Sequence, residues 1–196
     1  MLKGGLMVVA LAAASHTTMA TVAVARGFAL TQNRVPAPAN WRPEAVVVDA
    51  TSQPVIDALL AMYGGQGVTK PELFAADVVF EDAAAQVVSL RELQEAFRAL
   101  KVTSPETIAW DLVSSTVDEA ERERTLDIDL WQRYRLGKAF EVYSRVVVRQ
   151  GAEAGEIRLV QEKWNNADLL WTYPFPAVRR ANGLLSYVLT STFIRT

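Results

Sequence analysis

The stretch Thr125-Leu126-Asp127-Ile128-Asp129-Leu130-Trp131-Gln132-Arg133-Tyr134 alternates apolar and polar residues with a period of two. That period belongs to a strand with one buried face. Leu126, Ile128 and Leu130 share one side, and Asp127, Asp129, Trp131 and Arg133 share the other. The flanking sequence continues in the same manner. Thr107 to Thr116 is rich in strand formers, among them Ile108, Trp110, Leu112 and Val113. Gly137 permits a tight turn into Lys138–Arg149, where Phe140, Val142, Val146 and Val148 oppose Glu141, Tyr143 and Arg145. A polar loop, Gln150 to Gly155, leads to Glu156–Trp164, on which Arg158, Glu162 and Trp164 share a face. Residues 106–164 therefore predict an antiparallel meander of about four strands joined by short loops.

Upstream the period is helical. Val55, Ile56, Leu59, Leu60 and Met62 or Tyr63 fall at helical spacing, with Thr51 or Ser52 as the cap and Gly64-Gly65 as the stop. Pro71 suits the first turn of a short helix over Pro71 to Ala75, and Val78-Val79-Phe80 reads as a brief strand. Ser89 and Glu92 fit a capping box, followed by an apolar stripe of Leu90, Leu93, Phe97 and Leu100. Helices followed by a long antiparallel sheet make an α+β order, in which the sheet curls around the helices and leaves a pocket at its open end.

At Leu73-Phe74-Ala75-Ala76-Asp77-Val78-Val79-Phe80-Glu81-Asp82 the chain resembles the nuclear transport factor 2-like and SnoaL-like superfamily. There a helix commonly runs into a short strand of aspartate, two apolar residues, phenylalanine and an acidic pair. Ile157 to Asn166 and Arg179-Arg180-Ala181-Asn182 are similar to an uncharacterised fungal, algal and plant branch of it. Ala83 stands where a proline commonly follows the acidic pair. The resemblance spans residues 52–183 and implies a cone-shaped α+β fold, N-terminal helices packed on a curved antiparallel sheet, and dimerisation through that sheet. It does not select among isomerases, dehydratases, cyclases and non-catalytic binders.

Composition narrows the chemistry. The chain has 196 residues, 51% hydrophobic and 21% charged, which suffices for a packed core. A net charge of −2 lacks the basic footprint of a nucleic-acid binder. There is no cysteine, so thiolate nucleophiles, disulfides and zinc–thiolate sites are excluded. The one histidine, His16, lies far upstream of the domain, which excludes His-based triads and multi-histidine metal sites within it. No cofactor or metal is expected.

Charge also divides the chain. No acid precedes Glu44, while Lys3, Arg26, Arg34 and Arg42 fall in that stretch; the other 16 basic residues face all 22 acids, a balance of −6. Residues 1–26 read as a targeting or membrane segment, with three readings open. A secretory signal would use Lys3 and a small-residue site at Ala12-Ala13-Ala14 or Ala23-Val24-Ala25, and a transit peptide accounts for the missing acids. A membrane anchor would have to carry His16 near its middle. Import into a mitochondrion or plastid, or membrane association, is the favoured expectation. Residues 27–50 read as a linker, 51–168 as the domain, and 169–196 as an aromatic and basic terminal helix. That helix suits either a membrane surface or the open end of the cone.

Three carboxylates stand out: Asp82, Glu81 and Asp77. Asp82 is the candidate catalytic base, since a carboxylate shielded from water titrates nearer neutrality; the alternative is a solvated strand end. Phe80, Trp110, Trp131, Tyr143 and Trp164 are the aromatic residues expected to contact a ligand. The expected function is binding of a small hydrophobic molecule without demonstrated catalysis. A cofactor-independent lyase or isomerase using a pocket carboxylate, and a dimeric interaction scaffold, stay open beside it.

Overall fold

A computed structural model describes residues 35–136, 138–151, 155–169 and 175–193. The leader readings, the turn at Gly137, and Trp171, Tyr173 and Arg195 of the terminal stretch lie outside the described residues. Helix α1 is Gln53–Ala61, with Pro54 in its first turn, where the missing N–H costs nothing. Ser52 stands at its cap position, as one of the two expected residues, but its side chain makes no bond to the helix amides. Asp49 Oδ1 accepts from the backbone N–H of both Thr51 and Ser52 at 2.9 Å, while Ser52 already has helical dihedrals and donates its hydroxyl to Asp49 Oδ2. These bonds, the Thr51 hydroxyl's first among them, hold the Asp49 carboxyl well below its usual range.

Instead of stopping at Gly64, α1 runs on into a π-helical turn, Met62–Gln66. Gly65 there has φ +76°, and a Cβ on it would lie 2.8 Å from Pro105 Cγ. Glycine is therefore demanded twice, by conformation and by space. Strand β1 is Phe74–Glu81. Only Pro71–Leu73 of the expected helix forms, as a 3₁₀ turn, because Phe74 and Ala75 are drawn into the core as strand residues. A two-residue strand β2, Gln86–Val87, pairs back on β1.

Helix α2, Leu90–Leu100, starts as its sequence predicts: Ser89 Oγ accepts from Glu92 N at 3.3 Å. Leu93 and Phe97 are the buried part of its stripe. The meander follows as β3 (Glu106–Asp118), β4 (Glu123–Leu136), β5 (Lys138–Gly151) and β6 (Ile157–Trp164). The sheet order is β2-β1-β6-β5-β4-β3, curved and not closed. Register shifts in β3 at Thr107/Ala109 and Leu112/Ser114 are the irregularities that bend such a sheet. The pairing of β1 with β6 is parallel, Phe80 beside Val160 and Glu81 beside Gln161, and it joins the first strand to the last.

Leu126, Ile128, Leu130, Val146, Val148 and Val160 of the inner face form one core cluster with α1 and α2. The segment expected to be a linker joins it in part. Trp41 Nε1 donates to Trp110 O at 2.6 Å, Val46 and Val48 pack on the same cluster, and Trp131 Nε1 donates to Val35 O.

The terminal helix α3, Phe175–Phe193, is longer than the apolar run Gly183 to Leu189 suggested. It docks on α2 and β2. Arg180 makes a bidentate pair with Glu92 at 2.7 and 2.8 Å, and Asn182 Nδ2 donates to Ala84 O at 2.8 Å. Gly183 sits where a Cβ would lie 2.0 Å from Gln86 O, so the helix backbone rests directly on the strand. Among the described residues no helix is long and apolar enough to cross a membrane.

Candidate functional site

The π-helical turn after α1 directs Tyr63 inward, and α2 brings Phe97 against it with rings edge to face at 5.2 Å. The inner faces of the strands supply Phe80 from β1, Tyr134 from β4, Phe140 and Val142 from β5, and Glu162 with Trp164 from β6. Asp82 follows directly after β1, and Ser186 of α3 completes the wall. Together these groups line a cavity of about 300 Å³.

Glu162 lies on the inner face between Val160 and Trp164 and is buried. Tyr63 Oη donates to its Oε2 at 3.1 Å and Ser144 Oγ to its Oε1 at 2.6 Å. Burial, and next the charge of Asp82, raise its pKa to about 7 against the opposing hydrogen bonds of Ser144, Tyr63 and Trp164. Asp82 caps the β1–β2 turn. Its Oδ1 accepts from the backbone N–H of Ala84 at 2.7 Å and of Ala85 at 2.6 Å, and its own N–H donates to Ala85 O. No hydrogen bond from the described residues reaches Oδ2. Asp82 borders the cavity and is otherwise enclosed by protein, and this burial outweighs the two amides and nearby Arg179 to raise its pKa to about 6. Burial, and next the charge of Glu162, hold Tyr63 and Tyr134 well above the ordinary phenol range, so both remain hydrogen-bond donors near neutrality.

Glu81 points to the other side of β1. Its Oε1 accepts from Gln161 Nε2 at 2.6 Å and its Oε2 from Gln86 Nε2 at 3.2 Å. The guanidinium of Arg179, from α3, lies 4.0 Å from Oε2, and both side chains are buried. Asp77 is exposed.

Of the sequence candidates, Asp82, Phe80 and Trp164 come together at the cavity. Trp110 does not line it and is part of the core under Trp41. Trp131 and Tyr143 lie on the opposite face of the sheet, packed on each other at 5.0 Å between ring centres. Strand alternation places them there: odd-numbered positions of β4 and β5 face away from the helices. On that face Tyr143 Oη donates to Asp129, Arg145 pairs with Asp129, and Arg133 bridges Glu141 and Glu106. These cross-strand partners satisfy one another. Arg158 is exposed, whereas Glu162 is buried.

Glu162, Tyr63 and Tyr134 were not among the sequence candidates. Their signal is a polar interruption of an inward series. Gln132 and Tyr134 follow Leu130, Ser144 lies between Val142 and Val146, and Glu162 follows Val160; Gln132, Ser144 and Glu162 are all buried.

Two carboxylates that titrate near neutrality in one apolar enclosure can orient a polar group of a ligand or exchange a proton with it. The described residues hold no group of three or more side chains suited to a metal ion.

No family model and no curated protein matches the chain. Solved structures similar to it include a protein named as a SnoaL-like polyketide cyclase from Shewanella putrefaciens, with 11% identity over 61% of this chain and 82% of that one and a TM-score of 0.45. Another is a nuclear transport factor 2-like protein of unknown function from Cytophaga hutchinsonii, with 10% identity over 60% and 92% and a TM-score of 0.41. An epoxide hydrolase of the LEH-like kind from M. tuberculosis has 14% identity over 71% and 96% and a TM-score of 0.43. The chain is thus similar, at low identity, to SnoaL-like and nuclear transport factor 2-like proteins, and the narrower fungal, algal and plant branch finds no support among them.

Proposed function

We propose that the chain binds a small, largely hydrophobic molecule in the cavity, with Asp82 and Glu162 as the polar groups that orient it. The observation that carries this reading is an aromatic-walled space of about 300 Å³ with both carboxylates on its lining. That size is at the lower end of small-molecule sites, and an apolar wall with a few convergent polar groups is their usual chemistry. The test is thermal stabilisation of the full chain by neutral bicyclic molecules such as 1-naphthalenemethanol. The comparison is Val142→Phe, which fills the space from β5. Binding that is lost in the folded variant supports the reading; equal binding by both proteins, or no stabilisation by any such molecule, rejects it.

A second reading is favoured by Asp82 Oδ2, which no hydrogen bond from the described residues reaches, and by the neutral poise of the pair. Asp82 Oδ2 would accept a proton from a carbon next to a carbonyl, and the electron pair would move onto the carbonyl oxygen. A hydrogen bond from protonated Glu162 or Tyr134 would stabilise that oxygen until the proton returned. Deuterium uptake into 2-indanone from D₂O, read by NMR, tests it. Exchange no faster with the protein than with Asp82→Asn removes the catalytic reading and leaves binding in place.

A further inference from the structure

Among the described residues the lining combines six aromatic side chains and two carboxylates with no lysine or arginine. We propose that the cavity takes a small hydrophobic cation, an alkylammonium or quaternary ammonium compound. This rests on the ligand-binding reading above and names the class of ligand.

The cation nearest Asp82 is Arg179, whose field does act on it. Arg179, however, lies 4.0 Å from Glu81 Oε2 on the other side of β1, and the two form a buried pair of no net charge. When Asp82 and Glu162 ionise, the lining therefore gains two negative charges, and its described residues contain no positive one. An enclosed carboxylate without a counter-charge is costly, and each acid makes ionisation of the other harder. A cation in the cavity supplies the missing charge, while an anion would add a third of the same sign.

The walls suit the rest of such a molecule. Phe97 meets Tyr63 and Phe80 edge to face, both at 5.2 Å, and Tyr134 lies 5.5 Å from Phe140 across β4 and β5. Ring faces attract an ammonium through their quadrupole, and its alkyl groups bury apolar surface against the same rings. A neutral molecule of equal shape gains the burial without the electrostatic part.

The titrating groups around the site are Asp82, Glu162, Tyr63 and Tyr134, with the Glu81–Arg179 pair behind Asp82. Both tyrosines keep their protons between pH 5 and 8, so pH dependence in that window belongs to Asp82 and Glu162. With Asp82 titrating at about 6, its ionised fraction rises from roughly a tenth at pH 5 to nearly all at pH 8. A ligand that needs it ionised should bind about tenfold more tightly at the higher pH.

The experiment titrates the full chain by calorimetry with benzyltrimethylammonium, its uncharged isostere neopentylbenzene, and phenylacetate, at pH 5 and pH 8. The expected result is a cation affinity about tenfold higher at pH 8, with an isostere that is weaker at pH 8 and insensitive to pH. Asp82→Asn with Glu162→Gln should reduce the pH 8 cation affinity to the pH 5 level. The comparison of isosteres on the unaltered protein decides the matter even if that double variant does not fold. Equal binding of cation and isostere at pH 8 overturns the assignment of charge and leaves the ligand-binding reading standing. Absence of binding by all three at millimolar concentration overturns both.

Discussion

Replacing Glu162 by glutamine removes one interior charge and keeps the shape of the side chain. The amide oxygen still accepts from Tyr63, and the amide nitrogen donates to Ser144 once that hydroxyl turns. In the folded protein Glu162 titrates at about 7, against 4.5 for an ordinary glutamate. Between those two values the unfolded chain has released the proton while the folded chain still holds it. Stability therefore falls as pH rises through this window and levels off above it. Linkage puts the accumulated loss at about 1 kcal/mol by pH 5 and about 3 kcal/mol by pH 8. Glutamine cannot ionise, so Glu162→Gln should gain about 2–3 kcal/mol relative to the parent between pH 5 and pH 8. Asp82, raised from 3.8 to about 6 chiefly by burial, has the same sign in both proteins. Urea unfolding of both proteins at the two pH values reads the double difference directly. A double difference below about 0.5 kcal/mol, or one of opposite sign, would refute the claim that an ionising, uncompensated carboxylate sits at position 162.

Three further outcomes follow from the docking of the helices. Gly183→Ala forces a methyl group to 2.0 Å from Gln86 O and should destabilise the fold by about 1–3 kcal/mol, with faster proteolysis of α3. An unchanged melting temperature would contradict the contact. Ser89→Ala removes the hydroxyl that accepts from Glu92 N and should cost about 1 kcal/mol in urea unfolding. Arg180→Ala leaves the partly buried Glu92 without its bidentate partner and should cost about 1–2 kcal/mol. Hydrogen exchange should then quicken in α3 before the meander, and uniform quickening would argue against a local latch.

Local pattern carried most of the secondary structure. The period-two runs specify β3 to β6 because alternation is a property of each strand alone, and Ser89 with Glu92 specifies the start of α2 for the same reason. Errors arose where a distant partner decides. Phe74 and Ala75 carry acceptable helix signals, yet pairing beside Ile157 makes the segment a strand. Asp49 takes over the capping bonds of α1 because its carboxylate reaches two amides at once, which adjacent hydroxyls do not match. Val35, Trp41, Val46 and Val48 read as parts of a proline-bearing linker, but contact the domain through their own carbonyl, indole and methyl groups.

The site was legible only in fragments. Aromatic residues on β4 and β5 looked equivalent until strand parity sent Trp131 and Tyr143 outward and Tyr134 and Phe140 inward. Asp82 was visible as a carboxylate, whereas its closeness to Glu162 depends on the parallel pairing of β1 with β6, across some 80 residues of chain. By itself the sequence determined the meander, the main helices, and a chemistry without cysteine or an interior histidine, since composition and period need no partner. The tertiary structure alone decided which carboxylates share an enclosure, how α3 closes it, and that Arg179 is paired behind the wall with Glu81. Burial and electrostatics are sums over neighbours, and those neighbours exist only once β1 has paired with β6.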